Sequence, residues 1–243
     1  MADKKISGTH RPHRLTSQEH YSDAFLTSAF LALSGGLQDA YTYNTRDGVF
    51  SNAQTGNVVL MSQHLMRGEW GACMRYFVPV IAFALGVFLA ERICHRYKYA
   101  QKIHWRQLIL SIEIVILFAV GFIPQQFNMA ATVLVSLTCA MQVQTFRKVG
   151  GFSYASTMCI GNLRSALQSV DDYIITHKKG FLENGLLYFG VILTFVLGAV
   201  LGNVCIHALG LHAIAVASAL LAVCFCIMFI DREANSKRVQ RLG

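Results

Sequence analysis

Long apolar runs dominate the chain and are separated by short polar stretches. Six of these runs approach the roughly 20 residues that a helix needs to cross a bilayer. They lie at about 24–43, 74–94, 107–123, 127–146, 184–206 and 211–230. The last run holds no Asp, Glu, Lys or Arg. The pattern therefore predicts an all-α integral membrane protein with about six transmembrane helices and with polar tails at 1–23 and 231–243.

Two polar segments between the runs do not fit a lipid-facing helix. The first reads SNAQTGNVV from Ser51 to Val59, and the second reads STMCIGNLR from Ser156 to Arg164. Irregular backbone at membrane depth is tolerated only where protein covers it or water reaches it. A short helix that begins there presents free N–H groups and the positive end of its dipole. Each segment is therefore predicted to be a re-entrant half-helix with a Gly-Asn corner.

The two halves of the chain repeat each other. Gly56-Asn57 and Gly161-Asn162 are 105 positions apart, and Gln38 and Gln142 are 104 apart. At a shift of 112 the identical positions are Tyr76-Phe77, Phe83, Leu85-Gly86, Leu89 and His95 on Tyr188-Phe189, Phe195, Leu197-Gly198, Leu201 and His207.

Three spans per half is an odd number, so repeats over 24–126 and 127–230 must have opposite orientations. Such inverted-topology repeats are common in secondary transporters, whose substrate sites lie between the two copies. An alternative counts each Gly-Asn segment as a full span, which gives eight helices and parallel repeats.

Basic residues cluster in the loops on one predicted side of the membrane. The chain has a net charge of +8, and only 14% of its residues are charged, against about 25% in a soluble domain. Cytoplasmic loops carry the excess of Lys and Arg. The basic groups are Lys4, Lys5, Arg11 and Arg14; Arg92, Arg96, Lys98, Lys102 and Arg106; Arg147, Lys148, Arg164, Lys178 and Lys179; and Arg232, Lys237, Arg238 and Arg241.

This bias predicts that both termini are cytoplasmic. On the opposite side, Arg46 and Arg67 are offset by Asp47 and Glu69. The positive charge is interpreted as a signal of membrane orientation and as a surface that contacts anionic lipids of the bilayer. It is not read as nucleic-acid binding.

Polar residues within or beside the spans form the candidate site. Asparagine amides both donate and accept hydrogen bonds, and ionisable groups inside a span usually face a bundle interior or a water-filled cavity. The candidate substrate-binding residues are Gln54, Thr55, Gly56, Asn57, Gly161, Asn162, Gln38 and Gln142, and the candidate coupling residues are Asp39 and Glu113. Two alternatives stay open. The Gly-Asn pairs could only cap turns at the membrane surface, and Asp39 could be an ordinary solvated interfacial residue.

The order of these motifs resembles a known family. GGLQDAYTY, then SNAQTGNVV, then F-A-L-G in the following span resembles the YoaK-type family of bacterial multi-pass membrane proteins, which is defined by a domain of unknown function. The resemblance extends from about Ala24 to Ile230. It implies an integral plasma-membrane protein with about six helices, and it implies no known substrate or catalytic residue.

Two function classes stay open. The first is a small secondary transporter or channel for a small polar solute or ion, for which a homodimer is one arrangement because six helices enclose a limited cavity. The second is a non-transporting scaffold or sensor. A membrane enzyme comes third, because the chain has no H-E-x-x-H, G-x-S-x-G or Gly-rich phosphate loop. The seven cysteines include no C-x-x-C pair, so neither a metal nor another cofactor is predicted.

Overall fold

The structure, a computed structural model, describes most of the chain. It covers the backbone of residues 17–97, 105–149 and 152–242, and the side chains of residues 25–97, 105–147 and 154–228. The first 16 residues of the predicted N-terminal tail lie outside the described residues, as do the loop lysines Lys98 and Lys102.

Eight α-helices make up most of the described backbone. Their bounds are α1 Ser17–Thr45, α2 Gln54–Met66, α3 Trp70–Tyr97, α4 Trp105–Val120, α5 Asn128–Thr145, α6 Cys159–Thr176, α7 Lys179–Leu209 and α8 Ile214–Leu242. The 3₁₀ turns Gln125–Phe127 and Gly210–Ala213 precede α5 and α8. The two-residue strands β1, Lys148–Val149, and β2, Phe152–Ser153, pair antiparallel between α5 and α6. Each half of the chain thus has four helices, one of which begins at its Gly-Asn segment.

Several helix ends differ from the ends of the apolar runs. α4 ends at Val120, whereas its run continues to 123, because the backbone N–H of Ile123 bonds the carbonyl of Val120 in a tighter turn. α1 begins at Ser17, and α8 continues to Leu242. The predicted polar tail after 230 is therefore helical through Leu242. Backbone hydrogen bonds can extend a helix into polar sequence, where the side chains need no apolar surroundings.

Three stretches of the described chain are long and apolar enough to cross a membrane: Trp70–Tyr97, Gln125–Thr145 and Lys179–Met228. The last is 50 residues long, about 75 Å if it were one helix and more than twice a bilayer core of about 30 Å. The turn at Gly210–Ala213 divides it into α7 and α8. In the described chain, α1, α2, α4 and α6 do not meet this length and composition test.

The outer faces of the helices are apolar. Phe88 of α3 is 59% exposed, Val115 of α4 is 66% exposed and Leu193 of α7 is 60% exposed. Large exposed apolar patches are rare on soluble monomers, and here they match the acyl chains of a bilayer. The chain is therefore a helical membrane protein.

Long helices of one half pack against long helices of the other. α1 lies along α7, and α3 lies along α5. The short helices stay within their own halves, where α2 packs on α3 and α6 packs on α7. The core between α1, α4, α5 and α8 is filled by buried residues such as Leu37, Leu117, Val135 and Leu221.

Glycines form the closest contacts between these helices. A Cβ on Gly198 of α7 would overlap the carbonyl of Leu33 on α1, and a Cβ on Gly86 of α3 would overlap the carbonyl of Leu137 on α5. Small residues let helix backbones approach closely in lipid. Both glycines therefore serve close helix packing. The two contacts involve corresponding positions, since Gly86 and Gly198 are 112 apart and Leu33 and Leu137 are 104 apart.

Candidate functional site

The first Gly-Asn corner is closed by the side chain of Asn57. Its Oδ1 accepts a hydrogen bond from the backbone N–H of Phe50 at 3.0 Å, and its Nδ2 donates to the carbonyl of Phe50 at 2.7 Å. Nδ2 also donates to Oε1 of Gln54 at 2.8 Å. The Asn57 side chain is fully buried. One amide therefore holds the loop that leads into α2.

The second corner uses the same pair of bonds. Asn162 Oδ1 accepts from the backbone N–H of Ala155 at 3.3 Å, and Nδ2 donates to the carbonyl of Ala155 at 2.7 Å. In both corners the bonded residue lies seven positions before the asparagine. Both amides therefore bond within their own segments.

Asp39 connects α1 to the loop before α2. Its Oδ1 accepts from the backbone N–H of Ser51 at 2.9 Å, from Ser51 Oγ at 2.9 Å and from the backbone N–H of Asn52 at 2.7 Å. The residue is buried. Protein donors from the loop before α2 thus hold Oδ1 of this buried carboxylate.

Gln142 makes the corresponding connection in the second half. Its Nε2 donates to Ser156 Oγ at 3.0 Å and to the carbonyl of Leu31 at 3.3 Å. Ser51 and Ser156 are themselves 105 positions apart. A serine at the corresponding position thus joins each corner to the preceding long helix. Ser51 bonds Asp39 of α1, and Ser156 bonds Gln142 of α5.

Gln38 and Glu113 lie in a buried polar cluster between α1, α4 and α5. Gln38 Nε2 donates to Ser34 Oγ at 3.0 Å and to Glu113 Oε1 at 3.3 Å, and Cys139 Sγ donates to Gln38 Oε1 at 2.6 Å. Glu113 is 1% exposed, and its Oε2 has no hydrogen-bond partner among the described residues. A buried polar atom without a partner is costly, which sets this carboxyl group apart from the Gln38 amide, whose nitrogen and oxygen both have partners.

A cavity of about 400 Å³ lies between the two corners. It is lined by Asp39, Asn52, Ala53, Gln54, Thr55, Phe83, Thr157, Met158, Cys159, Ile160, Gly161 and Phe195. α2 begins at Gln54 and α6 begins at Cys159, so both helices start at this cavity. Asp39 is the one Asp, Glu, Lys, Arg or His among these lining residues.

The candidate site residues divide into two groups. Asp39, Gln54, Thr55 and Gly161 line the cavity, and the other six candidates do not. Those six are Gly56, Asn57, Gln38, Gln142, Glu113 and Asn162, the last of which lines a second cavity of about 340 Å³ beside Arg147. The predicted site thus separates into cavity-lining residues and residues that hold the loops and helices around them.

Sequence reasoning missed several residues of the cavity wall. Phe83 and Phe195 had been matched only as a repeat pair, and Asn52 and Thr157 had not been selected at all. One available signal was position, since Asn52 and Thr157 are 105 apart like the Gly-Asn pairs. The approach of the two phenylalanines depends on how α3 and α7 pack, which no local pattern contains.

The sequence places Arg46 among the loop charges and gives no signal of its burial. Arg46 is fully buried. Its guanidinium donates to Tyr41 Oη at 2.7 Å, to the carbonyls of Val120 at 3.1 Å and Ile123 at 2.9 Å, and to Asn128 Oδ1 at 3.0 Å. Carbonyls at a helix C-terminus are the negative end of its dipole. Arg46 therefore ties the end of α1 to the end of α4 and the start of α5.

The site offers oxygen acceptors rather than a metal cluster. Among the described residues, no group of three or more His, Cys, Asp or Glu side chains could hold a metal ion. All seven cysteines are free thiols, and one of them, Cys159, lines the cavity. The cavity wall thus presents oxygen acceptors, among them the carboxylate of Asp39.

Comparisons with known proteins agree with the resemblance seen in the motifs. No solved structure matches the chain. The UPF0700 transmembrane protein YoaK of Bacillus subtilis (strain 168) is 24% identical over 185 residues, which cover 71% of this chain and 80% of the relative. The expected YoaK-type family is thereby confirmed. Residues 27–227 match the family described as "Protein of unknown function (DUF1275)", and the chain belongs to this family.

Proposed function

We propose that this protein is a small secondary transporter or channel for a small polar solute or ion, and that the cavity between the two corners is its site. The observation that carries this proposal is that two segments 105 residues apart in sequence line one cavity. Transporter sites typically lie where the half-helices of two repeats meet. The carboxyl group of Asp39 and the N-termini of α2 and α6 all lie at this cavity.

The proposal includes inverted repeats, each with three membrane crossings and one re-entrant helix. Three features support it. Asn57 and Asn162 make matching bonds, and Gly86 and Gly198 make matching contacts. The long helices also pack between the halves in a matching way, α1 on α7 and α5 on α3. α2, with 13 residues, has a length of about 20 Å, less than a bilayer core of about 30 Å.

The proposed location is a bacterial plasma membrane, with both termini cytoplasmic. Support comes from the basic residues on one predicted side of the membrane. Arg147, Arg164 and Lys179 come after α5, and Arg92 and Arg96 lie near the end of α3. Homodimer formation is part of the same proposal, since the exposed apolar faces offer surfaces for a second copy.

A scaffold or sensor is the second candidate. It is favoured by the asparagine amides, which bond only within their own corners. In that case the cavity would be a closed void without a path to either side. The two functions therefore differ in whether the cavity can be reached from water.

Cys159 provides a built-in probe of that path. We expect a variant that retains only Cys159, with Cys139→Ser to keep its donor, to react with membrane-impermeant methanethiosulfonates from either side of oriented vesicles. The control is Val115→Cys in a cysteine-free chain, which faces outward on α4 and should stay unreactive. Reaction of Cys159 from one side only, or from neither, would contradict a transport path.

A further inference from the structure

We propose that the ligand of this cavity is a small organic cation, a protonated amine with a short apolar part, held by the carboxylate of Asp39. The inference rests on the proposed function, because it names the chemical class of solute for the same site. Three independent features of the cavity wall lead to it.

The first feature is the charge of the wall. Asp39 is the one formally charged side chain among the lining residues, and no Lys, Arg or His is among them. Its carboxylate is buried and is held by the neutral donors of Ser51 and Asn52. A charged group inside a membrane usually pairs with another charge or faces a solvated path. A cationic ligand would supply the countercharge that the described wall does not contain.

The second feature is a spare acceptor beside Asp39. Asn52 lines the cavity, and its Nδ2 donates to the carbonyl of Gly35 at 3.2 Å. Its Oδ1 is buried and has no hydrogen-bond partner among the described residues. An ammonium group has three donors and no acceptor. It could therefore bond the carboxylate of Asp39 and the amide oxygen of Asn52 together.

The third feature is the size and chemistry of the remaining wall. Phe83 and Phe195 line the cavity together with Met158 and Ile160. Aromatic faces attract cations through their ring quadrupoles. A bare Mg²⁺ or Ca²⁺ needs about six to eight oxygen ligands at short range, whereas this cavity of about 400 Å³ has a mostly apolar wall. The wall therefore suits an organic cation better than a dehydrated metal ion.

The N-termini of α2 and α6 at the cavity are an argument for an anionic ligand instead. A helix N-terminus favours anions, and both α2 and α6 begin at the cavity. At α2 the carboxylate of Asp39 already accepts the N–H groups of Ser51 and Asn52. An added anion would face that carboxylate across the same cavity. A cation is therefore favoured, and anion binding becomes one outcome of the test.

A matched set of three ligands tests the proposal on the purified full-length protein. Benzylammonium, benzyl alcohol and benzoate share one ring and differ in charge. We expect benzylammonium alone to raise the melting temperature and to give a saturable calorimetric signal. Because truncating one partner of a buried charge pair costs several kcal/mol, Asp39→Asn should weaken benzylammonium binding about tenfold or more. Glu91→Gln, a carboxylate change at a half-exposed site on α3, should leave binding unchanged.

Two further variants keep the test decisive if Asp39→Asn does not fold. Phe83→Leu and Phe195→Leu retain the carboxylate and remove an aromatic face, so each should weaken benzylammonium binding several-fold. Equal binding of all three ligands, preference for benzoate, or cation binding that survives in Asp39→Asn would overturn the proposal. If Cys159 is reached from both sides while the cation does not bind, only this inference fails. If the cation binds and Cys159 is sealed, the transport path fails.

Discussion

Asn57 and Asn162 are the residues around which the two corners are built. Each amide satisfies both backbone groups of a residue seven positions earlier, Phe50 in one corner and Ala155 in the other. Buried backbone groups need such partners, and an irregular loop has no ladder or helix to supply them. The asparagines therefore stabilise the loops that bring their neighbours to the cavity.

We expect Asn57→Ala and Asn162→Ala to lower stability as well as activity. Each change leaves a buried backbone donor and acceptor without a partner, at about 1–3 kcal/mol for each group. The melting temperature and the yield of monodisperse protein in detergent measure the effect. Asn203→Ala is the control, because Asn203 bonds Asn44 on an exposed surface. A loss in the control as large as in the corner variants would contradict this role.

Glu113 allows a test of coupling that spares the fold. Glu113→Gln keeps an oxygen that accepts the bond from Gln38, so we expect folded protein that still binds benzylammonium. The new amide does not titrate, so any dependence of uptake into proteoliposomes on a pH gradient should disappear. Glu91→Gln is the control, since that carboxylate lies on α3 and accepts a bond from Gln144. Unchanged pH dependence in Glu113→Gln would leave Asp39 as the coupling candidate.

The long helices depend on two glycine crossings. We expect Gly86→Ala and Gly198→Ala to destabilise the protein by about 1–3 kcal/mol, because the added methyl would overlap backbone carbonyls. Gly71→Ala and Gly180→Ala are matched controls in the same two helices, where a Cβ meets no atom within 4 Å. These controls should be neutral or slightly stabilising, since Ala favours helix more than Gly does. Thermal unfolding in detergent compares the four variants, and equal losses would contradict the crossing model.

Sequence predicted the helices better than their ends. An apolar run of about 20 residues is a local requirement of the bilayer, so long helices such as α3 and α7 could be read directly. The end of α4 could not be predicted from the sequence. The carbonyls of Val120 and Ile123 accept hydrogen bonds from Arg46, which lies 74 and 77 residues earlier and gives no local signal. The Gly-Asn corners were predicted as helix starts, and both α2 and α6 begin within a few residues of them.

The whole molecule decides which candidate residues meet. Asp39, Gln54, Thr55 and Gly161 could be selected from sequence because polar groups stand out against apolar spans. Their convergence depends on the packing of α1 along α7 and of α3 along α5, which one sequence does not contain. The asparagines were predicted to face a ligand because an amide can both donate and accept hydrogen bonds. Which partner each amide takes is decided only by the folded loop.

The proposed inverted arrangement makes a direct prediction about sidedness. Arg67 follows α2 and Lys179 begins α7, and both are exposed. With three crossings in each half, Arg67→Cys should react with an impermeant thiol reagent only from outside, and Lys179→Cys only from inside. Intact and inverted vesicles of a cysteine-free chain provide the two sides. Labelling of both positions from the same side would exclude the inverted repeat.

The buried guanidinium of Arg46 sets an order in time for the synthesis of the protein. Its distant partners Val120, Ile123 and Asn128 come 74, 77 and 82 residues later. At about 5–20 residues per second the ribosome needs about 4–16 s to add them. Until then, a permanently charged side chain with only Tyr41 at hand should remain at the wet membrane surface.

Arrested nascent chains would reveal this delay. In chains that stop before Val120, we expect Val49→Cys, in an otherwise cysteine-free chain, to react with an impermeant thiol reagent. Chains that extend well past Asn128 should protect it, because Val49 is fully buried in the finished protein and does not line the cavity. Early protection would contradict the order. The first corner thus reaches its final depth only after the second half of the chain has begun to be made, so the first half does not mature independently of the second.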